Sequence, residues 1–144
     1  MAITFENVIF DRVIDNLNTI IADEFSIPVL FDGTAERGNQ SFLVTPTEDE
    51  LEESLVNGQV RHCTVSINYE LTSAGNYTKN SMKQVSAITE RLKRLLYNNR
   101  NYTVSGTSQF YNGLIDNIVY ERDEDDPSIL RSNTSFTCTT MELV

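Results

Sequence analysis

The sequence predicts an α+β fold: a single domain, mostly antiparallel sheet with two main helices packed on it. Three observations carry this expectation. Two segments repeat apolar residues at helical spacing, one long stretch alternates with a period of two, and Asn112-Gly113 sits between two apolar runs as a hairpin signal. At 144 residues the chain buries roughly two thirds of the surface its unfolded form exposes, enough for one core.

The first helix is predicted over about 5–24. Thr4 is a plausible N-cap, and Phe5, Val8, Ile9, Val13, Leu17, Ile20 and Ile21 follow at helical spacing. Ile9, Phe10, Val13, Ile14, Leu17, Ile20 and Ile21 fill one broad arc, wider than a single flat contact requires, while Asp11, Asp15, Asn18 and Thr19 lie opposite. Pro28 breaks the helix, and Ile27-Pro28-Val29-Leu30-Phe31 reads as a short strand ended by Asp32-Gly33. Ser41 to Thr45 is a second short strand running into Pro46. An acidic loop is then expected over about 46–58, closed by Asn57-Gly58. The long central strand is the clearest: Cys63, Val65, Ile67, Tyr69 and Leu71 alternate with His62, Thr64, Ser66, Asn68 and Glu70, whose face is polar but nearly neutral. A loop at Thr72 to Asn76 precedes an amphipathic helix over about 80–98, with Ser81 and Gln84 resembling a capping box. The remaining chain, about 102–141, reads as a hairpin turning at Asn112-Gly113 and a final Ser/Thr-rich strand carrying Phe136 and Cys138.

Charge is segregated along this layout. The net charge is −10, divided as −10 over residues 1–78, +5 over 79–100 and −5 over 101–144. Ten of the 21 acids occupy two six-residue runs, Glu48 to Glu53 and Glu121 to Asp126. Such acidity argues against a module that grips DNA by neutralising phosphates. The candidate lumen- or partner-facing acids are Glu48, Asp49, Glu50, Glu52 and Glu53 in the first run and Asp123, Glu124, Asp125 and Asp126 in the second. Lys79, Lys83, Arg91 and Arg94 form the candidate subunit-interface face of the amphipathic helix.

Few residues suggest catalysis or a cofactor, so neither an enzymatic activity nor a bound cofactor or metal is expected. Cys63, Cys138 and His62 are too few for a closed zinc site, and His62 and Cys63, adjacent on a strand, point to opposite faces. One Cys63–Cys138 disulfide stays open as a possibility. Neither acidic run has the central glycine and terminal glutamate of a calcium loop. No stretch has the roughly 18 apolar residues of a membrane span, and the N-terminus shows no basic region leading into an apolar run. The four Asn-x-Ser/Thr triplets therefore carry no expectation of glycosylation, and a reducing, cytoplasm-like compartment is expected. An acidic chain with one basic helix face instead suits head-to-tail self-association, which closes into a ring when the rotation allows. Acidic loops facing the hole of such a ring would let DNA pass without sticking.

The order of elements resembles the tail terminator and head–tail completion (neck) proteins of long-tailed bacteriophages. The likeness is carried by Phe5-Glu6-Asn7-Val8 through Ile21, Ile27-Pro28-Val29, Thr64-Val65-Ser66-Ile67-Asn68-Tyr69, the helix from Ser81 to Asn98, Gly113-Leu114-Ile115 and Ser135-Phe136-Thr137-Cys138. The resemblance implies a non-enzymatic virion protein, assembled in the host cytoplasm, that forms a hexameric ring on the tail tube. Its partners would be the tube protein, the neck connector and, in a contractile tail, the sheath, with DNA only as passing cargo. The alternatives are a neck adaptor or tube subunit of the same assembly, a small carboxylate enzyme using His62 and the acidic loops, and an acidic binding module that mimics DNA.

Overall fold

A computed structural model of the chain describes residues 2–26, 29–30, 40–72, 79–126 and 128–143. The predicted turn at Asp32-Gly33, most of the loop from Thr72 to Asn76, and Pro127 lie outside these residues.

The fold is α+β. A π-helical segment, Ile9–Ile14, runs straight into helix α1, Asp15–Glu24, and helix α2 spans Lys79–Asn98. Six strands form one sheet: β1 (Val29–Leu30), β2 (Gln40–Leu55), β3 (Gly58–Thr72), β4 (Tyr102–Val104), β5 (Thr107–Arg122) and β6 (Ile129–Leu143), in the order β1-β2-β3-β6-β5-β4. Every neighbouring pair is antiparallel except β1 and β2.

The spine of the sheet is the β3–β6 ladder. It runs without a register shift from Gly58↔Leu143 to Thr72↔Ile129. The alternation read from the sequence is realised here, because Cys63, Val65, Ile67, Tyr69 and Leu71 are all buried. Facing them on β6 are Leu130, Ser132, Thr134, Phe136, Cys138 and Thr140, also buried. Both helices lay their apolar stripes on this face: Val13, Ile14, Leu17, Ile20 and Ile21 from the first, Val85, Leu92 and Leu96 from the second. Thr89 of α2 is a polar exception, satisfied by donating to the Val85 carbonyl at 2.7 Å and by sharing a hydrogen bond with Ser132 at 2.7 Å. The opposite face carries His62, Thr64, Ser66, Asn68 and Glu70 with Asn133, Ser135 and Thr137 of β6, half-buried or exposed.

Four expectations are corrected. The N-terminal helix begins later than residue 5: Val8 occupies the N-cap without a side-chain bond, and Phe5 is 82% exposed. The π-helical segment that follows carries Val13 and Ile14, both fully buried. Residues 46–55 are not a loop but the distal half of β2, and the chain reverses over Val56 and Asn57. Pro46 and the acids are tolerated because this half of β2 is an edge: only β3 pairs with it, and its register slips at Pro46/Glu48 and Leu51/Glu53.

Asn112-Gly113 is a bulge within β5, not a hairpin turn. Asn112 takes φ +54°, and three steps from Tyr111 to Leu114 oppose two from Thr139 to Thr137. The turn lies at Ser105-Gly106, where φ values of +52° and +79° between paired Val104 and Thr107 match the twist of the flanking strands. Finally, Ser81 lies within α2, so it does not cap it.

Gly113 packs its backbone tightly against its neighbours. Its N–H donates to the Arg100 carbonyl at 2.9 Å, and a Cβ there would fall 2.8 Å from Phe136 Cζ and 3.1 Å from that carbonyl oxygen. Gly113→Ala is expected to destabilise the fold by about 1–3 kcal/mol through overpacking against Phe136. At Gly106 nothing lies within 4 Å, so Ala there should cost about 1 kcal/mol from the left-handed backbone alone. Urea unfolding of the two variants measures the difference.

Candidate functional site

The two acidic runs lie at opposite ends of the β3–β6 ladder. Glu48 to Glu53 line β2 beside the Gly58↔Leu143 end, whereas Glu121 to Asp126 connect β5 to β6 beside the Thr72↔Ile129 end. With fourteen residue steps between the ends, the separation is on the order of 45 Å. The structure does not bring the two runs together into one cluster.

At the first end, β2, β3 and β6 project as a three-stranded arm closed by the β2–β3 turn. Glu48, Glu50, Glu52 and Glu53 are exposed along the unpaired edge. Asp49 is engaged within the arm, accepting from Arg61 Nε at 2.8 Å, and this bond holds the Arg61 guanidinium above its ordinary pKa. Glu52 accepts a longer bond, 3.4 Å, from Thr139 Oγ1. The arm also exposes apolar side chains, namely Val56 at the turn and Met141 and Leu143 near the end of β6. Register puts Leu55, Met141 and Leu143 on one face of the tip, through Leu55↔Gly58 and Gly58↔Leu143.

At the other end the second run is folded on itself. Asp123 Oδ1 accepts the N–H groups of Asp125 at 2.9 Å and Asp126 at 3.0 Å, and Oδ2 accepts from Arg131 at 2.9 Å. The Asp126 amide, then Arg131, then the Asp125 amide hold the Asp123 carboxyl below the usual carboxylate range. Asp126 accepts both the N–H and the hydroxyl of Ser128. Asp123 is therefore a loop-ordering residue. Glu124 and Asp125 are exposed.

The basic helix face also divides. Arg91 donates to the Glu24 side chain at 2.9 Å and to the Glu24 carbonyl at 2.8 Å, and its guanidinium lies 4.5 Å from the centre of the Phe25 ring. It closes the C-terminal end of α1, where carbonyls lack helical partners, and ties the two helices together. Arg91 thus has a partner within the chain, while half of its side chain stays exposed. Lys83 and Arg94 are exposed, Lys93 bonds Glu90 at 2.9 Å, and the side chain of Lys79 lies outside the described residues.

Beside this face is a groove of about 420 Å³ between the C-terminal half of α2 and the outer edge of β5. Leu96, Tyr97, Ile115, Ile118 and Phe136 line it, with Lys93 at its rim. Arg94 and Tyr97 border the adjoining depression. Among the described residues no strand pairs with the outer edge of β5 from Asn112 to Arg122, because β4 covers only Thr107 to Phe110. The sequence reading missed this groove, since Gly113 and the bulge that shape it read as a turn. It also missed the exposed tip residues Val56, Met141 and Leu143.

Catalytic features are sparse. Cys63 and Cys138 are free, buried and directly opposed across the β3–β6 ladder, and burial raises both thiol pKa values. Burial also pushes Tyr69 to about 12. His62 lies on the opposite sheet face from Cys63. Among the described residues no three His, Cys, Asp or Glu side chains are placed to hold a metal, and no helix is long and apolar enough to cross a membrane. No family model matches the chain, and no curated protein matches it significantly.

Asp123→Ala should lower the melting temperature by a few degrees at neutral pH. Because the folded carboxyl titrates below its unfolded value near 4, its contribution is fully present above that pH and disappears as pH falls through the folded pKa. The gap between wild type and variant should therefore stay constant from pH 7 to about 5 and close below about 4, read by thermal melts across pH. Arg91→Ala should cost about 1 kcal/mol of stability, whereas Arg94→Ala, at an exposed site, should change it by less than about 0.5 kcal/mol.

Proposed function

We propose that the protein is a non-enzymatic structural subunit that assembles head to tail into a ring, acting as a tail terminator between a phage tail tube and the neck connector. The observation that carries this reading is that one chain presents two unlike surfaces at different edges of a single rigid sheet. An acidic, apolar-tipped arm stands at one edge, and a groove beside the exposed cations of α2 lies at the other. Unlike surfaces of this kind favour heterologous contacts, which generate rings when the rotation closes.

The bare face of the sheet supports DNA as passing cargo. Thr64, Ser66, Asn68, Asn133, Ser135 and Thr137 present hydroxyls and amides without charge. The flanking Arg131 is bonded to Asp123 and lies 3.5 Å from Glu70, so its charge is already met inside the subunit. A surface with no spare cations lacks the phosphate-neutralising term that makes a protein hold DNA. The resemblance of the element order to terminator and neck proteins is the further support, and a hexamer is what that resemblance implies.

Negative-stain imaging and native mass spectrometry of the purified chain test the reading. The expected result is a closed ring of uniform stoichiometry that dissociates as salt rises, since exposed charge contacts are screened within about 8–10 Å near physiological ionic strength. Long hollow rods would identify a tube subunit instead. Monomers alone, even with tube and connector proteins added, would overturn the proposal.

A further inference from the structure

The two cysteines of the chain stand opposite one another on the spine of the sheet. Cys63 and Cys138 are 75 residues apart in sequence, and the β3–β6 register makes them direct partners. The ladder continues unshifted for five residues on one side of the pair and nine on the other, so neither strand has slack to slide them apart. Both side chains are buried on the same face, at 1% and 0% exposure, and both thiols are free. Among the described residues neither belongs to a group that could hold a metal.

Directly opposed residues of antiparallel strands have Cα atoms about 4.5–5.5 Å apart and side chains on the same side. A disulfide takes Cα separations of about 4.4–6.8 Å. The pair therefore meets the backbone requirement of a disulfide with no change of register. The two thiols are not equivalent. Cys63 Sγ lies 3.8 Å from Thr140 Oγ1, a hydroxyl able to donate to a thiolate. Burial raises both thiols, and this hydroxyl offsets part of the rise at Cys63, which is the better placed to attack.

We infer that Cys63 and Cys138 form a latent cross-strand latch, closed by a low-molecular-weight disulfide such as oxidised glutathione when the ladder transiently opens. The Cys63 thiolate attacks one glutathione sulfur, the glutathione S–S bond breaks, and one glutathione leaves as a thiolate. Reclosure of the ladder in register brings Cys138 opposite this mixed disulfide. The Cys138 thiolate attacks the Cys63 sulfur, and the second glutathione leaves. The two departing thiolates take up the two protons that the cysteines give up, so the cysteines are oxidised and glutathione disulfide is reduced to two thiols. Burial shuts the oxidant out of the closed fold, and it shields the finished bond from reductants in the same way. A reducing compartment keeps the latch open, and an oxidising one sets it. The latch belongs to the single subunit and does not depend on the ring.

The test incubates the chain with oxidised glutathione in urea just below the unfolding midpoint and then returns it to buffer. Mass spectrometry should show the loss of two hydrogens, no free thiol and no glutathione adduct. Urea unfolding should slow by about tenfold or more, because the link bridges distant parts of the chain, and dithiothreitol should restore the original rate. Cys138→Ala should instead accumulate the glutathione adduct on Cys63, located by peptide mass. The wild-type readouts stand whether or not that variant folds. Two free thiols after the same treatment, or a glutathione adduct that persists on the wild type, would overturn the latch. A linked form that melts below the reduced chain would overturn it as well, because the bond would then not fit the native ladder.

Discussion

The unbroken pairing of β3 with β6 is the constraint on which the rest of the structure depends. Fifteen consecutive residues of each strand are held in one register, and because side chains alternate, a slip of one residue would turn Cys63, Val65, Ile67, Tyr69 and Leu71 to the polar face. At one end of the ladder Gly58 permits a very close approach, since a Cβ there would overlap the Glu142 carbonyl. The helices can occupy only the face this register makes apolar. The opposite face carries hydroxyls and amides together with His62 and Glu70, and the two ends of the ladder hold the two acidic runs apart.

Much of this was legible in the sequence, for physical reasons that can be named. A buried face on β3 enforces strict alternation, and the apolar stripe of α2 is regular because it packs on one flat sheet. Where the reading failed, local chemistry had two meanings. Asn-Gly supplies a left-handed backbone equally to a turn and to a bulge, and only pairing with β6 decides that Asn112-Gly113 is a bulge. Proline and clustered acids mark loops, yet they also suit an edge strand, which β2 becomes through its pairing with β3. The π-helical turns leave no distinct local signal beyond a broad apolar arc.

The candidate surfaces were legible as a distribution of charge but not as a set of available charges. Arg91, Asp49 and Asp123 belong to the segregated clusters, yet each is engaged inside the subunit: Arg91 by Glu24 and Phe25, Asp49 by Arg61, Asp123 by Arg131 and its own loop. Those partners are distant in sequence or depend on loop geometry, so composition could not separate them from Arg94 or Glu50. The groove depends still more on tertiary structure, because it exists only where the α2 end overhangs the uncovered edge of β5. What survives as exposed is a smaller and more specific pair of surfaces, and on it the proposed head-to-tail assembly stands.

The most direct test of that account is oxidative cross-linking of single and paired cysteine variants at the two surfaces, Val56→Cys and Tyr97→Cys, with the buried native thiols as silent background. A head-to-tail contact predicts that each single variant remains uncross-linked, while the chain carrying both gives a ladder of covalent oligomers that stops at the size of the ring. Covalent dimers from either single variant, or no intermolecular link from the double variant, would contradict it.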